Sequence, residues 1–503
     1  MKKITPLLFL LGLLACEDLS DDPGTNPAQS PTYDAFRVGG SHDGPNVEPT
    51  VPGEQYNDYV ENSFVVVADE PVSTFSVDAD GGSYSNVRRF LHDNMAPPVS
   101  AIRTEEWINY FSYEYADPTD GSPIGLNGEV SSCPWKEGHR LIRIGLKGKT
   151  VPQSALPAAN WVLLVDVSGS MDSPDKLALV QQGLTLFVAE MRPQDKLAIV
   201  AYAGSAGVML DATPGSEQDK IKSAIASLSA GGSTAGAEGL VTAYDIAEAN
   251  FVEGGNNRVL LATDGDFNVG VSSQEELVSL IESKRDRGIF LTVLGVGTGN
   301  YNEAAMEQVA NHGNGTYEYL DNLRQCEKVF VHEYGKFLTV AQDVKVQVEF
   351  NADAVQAYRL IGYENRLLDQ EDFEDDTKDA GEIGSGQTIT ALYEIVPNSL
   401  ASPMALRQIP MFTVDFRYKN PGEEQAHPLR LEVIDQGTPF EQASENLRFA
   451  ASVTGMAMLM RDSPHRGSLS YDQVVTWAQQ ARQYDPHGWR QEFVQLAEGL
   501  RGQ

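Results

Sequence analysis

Positive charge is scarce in this sequence. It has 37 Lys and Arg against 71 Asp and Glu among 503 residues, a net charge of -34 at pH 7. Phosphate backbones and anionic lipids are held by Lys and Arg, so nucleic acid is excluded as an expected partner. The acidic surplus suits divalent cations, cationic partners or plain solubility in a salty medium. Histidine is sparse too: the eight present are scattered and form no metal-ligand spacing. Cysteine numbers three. Apart from Cys16, only Cys133 and Cys326 remain; an exported protein can oxidise such a pair, or keep two free, buried thiols. No stretch reaches the ~18 consecutive apolar residues that a membrane-spanning helix needs.

The N-terminus, "MKKITPLLFLLGLLAC", carries two lysines, then an apolar run from Ile4 to Leu14. This is too short to span a bilayer and is built like a secretory signal. Leu13-Leu14-Ala15-Cys16 resembles the lipobox of bacterial lipoproteins, although Leu14 is a less usual choice at its place. That resemblance implies that Cys16 becomes the lipidated (palmitate-bearing) first residue of the mature chain. Residues 1–16 are then signal peptide and lipobox, and the expected location is the bacterial cell envelope, outer membrane or cell surface ahead of inner membrane. Residues 17–58 are acidic and rich in Pro, Gly, Ser and Asn, and are expected to form a disordered tether.

Further along, residues 59–150 mix strand and helix patterns. "SFVVVADEPVSTFSVD" and "HRLIRIGLKG" read as strands, while "AIRTEEWINYFSYEY" sets Ile102, Trp107, Ile108 and Phe111 on one helical face. From 158 to 340 the pattern changes: short, wholly apolar runs ("NWVLLVD", "LAIVAYA", "RVLLATD", "FLTVLGVG", "TYEYL") alternate with amphipathic helices. Such runs predict parallel strands covered on both faces. Helix starts are expected at Ser173-Pro174, at Ser216 with Asp219, and at Ser273 with Glu276; Gly313 should stop one. The fold class is therefore α/β, a doubly wound, mostly parallel sheet. Five alternating runs in 341–437 suggest a β-sandwich, and 438–503 look helical.

The chemistry gathers where apolar strands end. Asp166 closes "NWVLLVD", and Ser168 and Ser170 follow at alternate positions. Thr234 sits in "GGSTAG" at a helix start, and Asp264 ends "LLATD". In a doubly wound sheet, ligands bind at the carboxyl ends of the strands. Two carboxylates and three hydroxyls are all oxygen donors, which suit a hard cation: Mg2+ first, with Mn2+ or Ca2+ as alternatives. Two acids do not over-neutralise a divalent ion, which keeps it electrophilic, with one position for an outside oxygen.

This order, Asp-x-Ser-x-Ser, a distant Thr and a distant Asp, resembles the metal ion-dependent adhesion site (MIDAS) of the von Willebrand factor A (VWA) family. "FSVDADGGSYSNVRRFL", "CPWKEGHRLIRIGLKGK", "LTVLGVGTGNYNEAAMEQVANHGNGTYEYLDN" and "AYRLIGYENRLL" further resemble the bacterial VWA lipoproteins called YfbK-like, over roughly residues 60 to 500. The resemblance implies a Rossmann-like VWA domain whose ion contacts Asp166, Ser168, Ser170, Thr234 and Asp264, with an acidic side chain of a protein partner completing its coordination. It implies adhesion, not an enzyme. A metal-dependent envelope hydrolase using the same site is the alternative.

Other motifs fall short. "GGSTAG" lacks the nucleophile-elbow spacing, and "GVGTGN" lacks the third glycine of a dinucleotide turn. "VHEYGK" has Lys336 where a zinc-protease helix needs its second His, and "DADGGSYSNVRR" has Gly82 and Arg89 at calcium-ligand positions. Asp80 looks like a local variation, and Asp266 is read as a solvated loop residue rather than as a supporting acid. If Cys16 carries the anchor, Cys16→Ser shifts the protein from the membrane pellet to the soluble fraction on cell fractionation. A variant that still sediments with membranes contradicts the assignment.

Overall fold

The computed structural model describes residues 53–77, 80–233, 236–265, 274–299, 301–376, 378, 380–398 and 407–501. The signal, Cys16 and residues 17–52 of the expected tether lie outside these; residues 53–58 are not a free tether, because Glu54 ion-pairs with Arg89 at 3.0 Å and the Gln55 N–H donates to Tyr301 O at 2.9 Å.

Two short strands come first, β1 (Val65–Val66) and β2 (Val72–Ser76), then helices α1 (Gly82–His92) and α2 (Thr104–Tyr110). Ile102 and Phe111 flank α2 and are buried with Trp107 and Ile108. A hairpin of long strands follows, β3 (Ile124–Ser132) and β4 (Arg140–Gly148). The doubly wound domain is β5 (Ala159–Asp166), α3 (Leu177–Glu190), β6 (Lys196–Tyr202), β7 (Ala206–Pro214), α4 (Gln218–Ala226), α5 (Gly236–Ala249), β8 (Asn256–Thr263), α6 (Gln274–Arg285), β9 (Ile289–Val296), α7 (Glu303–His312) and β10 (Tyr317–Leu320), closed by the short α8 (Leu323–Glu327). After it come β11 (Thr339–Phe350), β12 (Val355–Ile361), β13 (Gly381–Gly384), β14 (Thr388–Pro397), β15 (Phe412–Lys419) and β16 (Ala426–Val433), then helices α9 (Glu445–Met460), α10 (Tyr471–Gln480) and α11 (Trp489–Gly499).

The central sheet runs β10-β9-β8-β5-β6-β7. Neighbours are parallel except for the edge strand β7, which is antiparallel to β6. Residues of β5 and β8 are buried throughout, because helices cover both faces. On one face α3, α4 and α8 pack over Trp161, Leu163 and Val165; on the other, α5, α6 and α7 pack over Val162 and Leu164. This is the doubly wound sheet expected from the apolar runs.

Around it lies a two-sheet β-sandwich. One sheet is β1-β12-β14-β4-β3; the other is β13-β11-β15-β16, with β2 also paired to β11. The spans 59–150 and 341–437, distinct in sequence, thus supply strands to the same two sheets. The α/β domain is inserted between β4 and β11, and Val67, Phe75, Ile142, Val346, Tyr393 and Phe416 share one core.

Several local expectations are corrected. Ser216 does not cap α4: a 3-10 turn spans Gly215–Glu217, and Glu217 precedes the helix without a side-chain cap. The helix expected from Ser173-Pro174 starts only at Leu177, because Lys176 holds φ -116° and ψ -109°. Gly313 does end α7; Ser273 lies outside the described residues. Cys133 and Cys326 are buried and unbonded to each other. Burial pushes each thiol up to about 12, which keeps both protonated.

The modules meet through buried charge. Arg88 of α1 donates to Asp321 after β10 at 2.6 Å, to Glu492 of α11 at 3.1 Å and to the Tyr110 hydroxyl at 2.8 Å. Asp80 accepts the Tyr317 N–H at 2.9 Å, so it docks β10 instead of being an idle variation. Gly82 leaves room beside it: a Cβ there would come within 2.6 Å of the Tyr317 ring. Lys336, at the failed zinc-ligand position, is ion-paired with Glu333 at 3.0 Å. Arg88→Ala strands the Asp321 and Glu492 carboxylates and is expected to cost about 3–5 kcal/mol, read as a lowered urea midpoint. A midpoint equal to wild type contradicts this account of the joint.

Candidate metal centre

The chain leaves β5 towards β6 on one side and returns through β8 on the other. The crevice of a doubly wound sheet opens at such a reversal, here between β5 and β8. Asp166 is the last residue of β5, and Asp264 is the first beyond β8. Val165 lies opposite Ala262 across the ladder, so Asp166 stands level with Thr263 and Asp264 follows one residue on, near enough to influence the Asp166 carboxyl. Both residues have 0% of their surface exposed.

Local hydrogen bonds fix the loops that carry the hydroxyls. The Ser168 N–H donates to Asp166 Oδ1 at 2.8 Å, and the Thr263 hydroxyl donates to Asp166 Oδ2 at 3.4 Å. Ser168 and Ser170 place their hydroxyl oxygens 3.0 Å apart, with Ser168 buried and Ser170 exposed. The glycine-rich loop is tied to the same turn: the Gly231 N–H donates to Val167 O at 2.7 Å and the Gly169 N–H to Gly232 O at 3.0 Å. Gly232 holds φ +90°, a conformation open to glycine at little cost. The segment is therefore at the site up to Gly232, while Thr234 itself, like Asp266, lies outside the described residues. Four of the five expected residues can thus be placed, and all four meet at one sheet edge.

Burial is the main cause that pushes the Asp166 carboxyl above its usual range; the neighbouring Asp264 adds to it, and hydrogen bonds from Ser168 oppose it. Burying two acids at one sheet edge carries a desolvation cost that positive charge offsets. Among the described residues no group of three or more His, Cys, Asp or Glu is arranged to hold a metal. The oxygen donors available at this edge are the two carboxylates and the Ser168 and Ser170 hydroxyls. Such a donor set fits a hard divalent cation.

Two neighbours of the site escaped the sequence reading. Lys176 is buried and ion-pairs with Asp264, Nζ to Oδ2 at 2.9 Å. Tyr202, the last residue of β6, is fully buried, and its phenol interacts with Asp166 and Thr263. Burial foremost, then Asp166, raise its pKa well above the ordinary tyrosine value. The available signals were a lysine opening the apolar helix "LALVQQGLTLFV" and a hydroxyl at the end of "LAIVAY".

The family models and a sequence relative match this chain along most of its length. A model of the von Willebrand factor type A domain matches residues 161–266, one described as von Willebrand factor matches 50–143, and one for the C-terminal part of the uncharacterized protein YfbK matches 335–502. The uncharacterized protein YfbK of Escherichia coli K12 is 40% identical over 467 residues, 88% of this chain and 80% of that protein. A UPF0353 protein of Mycobacterium sp. KMS is 30% identical over 174 residues, and the match spans half of its length. Among solved structures, a von Willebrand factor type A protein from Catenulispora acidiphila aligns over 76% of this chain and 91% of its own, with 16% identity and a TM-score of 0.41.

Proposed function

The chain belongs to the YfbK family of von Willebrand factor type A domain proteins, and on that premise we propose that it is a metal-dependent adhesion module of the cell envelope. Its VWA domain is suited to protein interaction. Asp166, Ser168, Ser170, Thr234 and Asp264 hold a divalent cation, Mg2+ foremost, and a carboxylate of a protein partner completes the coordination. The lipid on Cys16 keeps the module at the membrane.

One observation carries this reading: two fully buried carboxylates flank the switch point of the sheet, with the Ser168 and Ser170 hydroxyls beside them. The bound ion supplies an electrophilic position for an outside oxygen ligand. The protein's own groups do the rest. The Ser168 N–H and the Thr263 hydroxyl orient Asp166, so that its carboxylate is preorganised. The exposed Ser170 sits at the solvent end, where a partner arrives. Burial of the acids keeps water from screening the ion, which strengthens its hold on an incoming carboxylate.

Mg2+ or Mn2+ is expected to raise the melting temperature of the purified protein; at 100 times Kd the gain is about 2.7 kcal/mol. Asp166→Ala is expected to abolish the increase, and both the mutation and chelator are expected to abolish partner capture from envelope extract. An equal shift in the mutant, or capture indifferent to chelator, overturns the reading.

A further inference from the structure

Lys176 has no part in the five-residue site, yet the fold delivers it there. It is the residue immediately before α3, and its φ and ψ turn the chain so that the helix begins only after it. Its N–H donates to Ser173 O at 3.1 Å, and its carbonyl accepts the Val180 N–H at 2.9 Å. The backbone at this position is therefore anchored on both sides. The side chain is 8% exposed and ends 2.9 Å from Asp264 Oδ2.

Gly297, just past β9, makes this path possible. A Cβ on Gly297 would come within 2.3 Å of Lys176 Cγ and Cε, so the stem lies directly across the glycine. Gly297 also holds φ +70°, where side chains are strained. Its carbonyl accepts a hydrogen bond from the Tyr319 hydroxyl at 2.9 Å, which pins the floor beneath the stem. The lysine is held in a made-to-measure groove, with its ammonium on one of the two acids that the ion needs.

We propose that Lys176 is a tethered cation that competes with the divalent ion for Asp264 and so sets how tightly the site binds metal. The inference rests on the metal site proposed above. Without the ion, Lys176 offsets part of the cost of burying the Asp264 carboxylate. When the ion enters, the ammonium gives up its bond to Asp264 and is repelled by the new charge, and both effects weaken binding. The groove over Gly297 keeps the ammonium close even then. Two carboxylates balance a divalent ion, so Lys176 leaves one positive charge over, which a partner's carboxylate neutralises.

The test is isothermal titration of the full chain with Mn2+, comparing wild type with Lys176→Met, which keeps the aliphatic stem, and Lys176→Gln, which keeps a hydrogen-bond donor for Asp264. Both variants are expected to bind Mn2+ about tenfold more tightly, ~1.4 kcal/mol, and Lys176→Arg is expected to stay near wild type. Melting in chelator adds a readout without metal: Lys176→Met melts below wild type, because Asp264 loses its counter-ion. Equal Mn2+ affinity in wild type, Lys176→Met and Lys176→Gln overturns the competition and leaves the metal site standing. Absence of Mn2+ binding in every variant overturns the metal site, and this inference with it.

Discussion

Two carboxylates, buried side by side at the reversal of a parallel sheet, are the constraint around which this site is organised. An isolated ionised acid in a protein interior costs several kcal/mol even after relaxation, and Asp166 and Asp264 add mutual repulsion to that cost. The structure answers with fixed dipoles and one cation. The Ser168 N–H and the Thr263 hydroxyl point at Asp166, and the Lys176 ammonium meets Asp264. Thr263 belongs to β8, while Ser168 and Lys176 sit in short connections that hydrogen bonds fix just after β5 and just before α3.

That core is itself held from outside. Its insertion between β4 and β11 leaves both ends of the domain in one sandwich, whose sheets draw strands from either side of the insertion. Arg88 then links α1, the end of β10 and the last helix through ionised groups with little access to water. Asp80 and the space at Gly82 seat Tyr317 against the same joint.

The site was legible in the sequence to the extent that it depends on local pattern. Asp166 and Asp264 each end an apolar run, and in a parallel sheet that alone places them on the ligand-binding edge. Ser168 and Ser170 follow at fixed spacing in the same turn. Thr234 could be named from the glycine-rich stretch, and the structure brings that stretch to the site as far as Gly232. Lys176 was not legible, because its role depends on Gly297 lying under its stem, a juxtaposition that only the packing of α3 against the end of β9 creates. Tyr202 was hidden for a similar reason, as a tyrosine ending an apolar strand is an ordinary core residue until the neighbouring strand brings an acid beside it. The sandwich was half legible: strand periodicity marked β11, β12, β14, β15 and β16, whereas their pairing with β1, β2, β3 and β4 crosses the whole inserted domain and leaves no local signature. Ser216 misled because serine two residues before a helix suits a 3-10 turn as well as a cap.

The adhesive role depends on where a divalent ion settles. The most direct measurement is anomalous X-ray diffraction from crystals of this protein grown with Mn2+. The account predicts one strong peak at the carboxyl edge of β5 and β8, in contact with the Asp166 carboxylate and the Ser168 and Ser170 hydroxyls, with the Lys176 ammonium withdrawn from Asp264. A map with no peak there, and Lys176 still paired with Asp264 at saturating Mn2+, would contradict it.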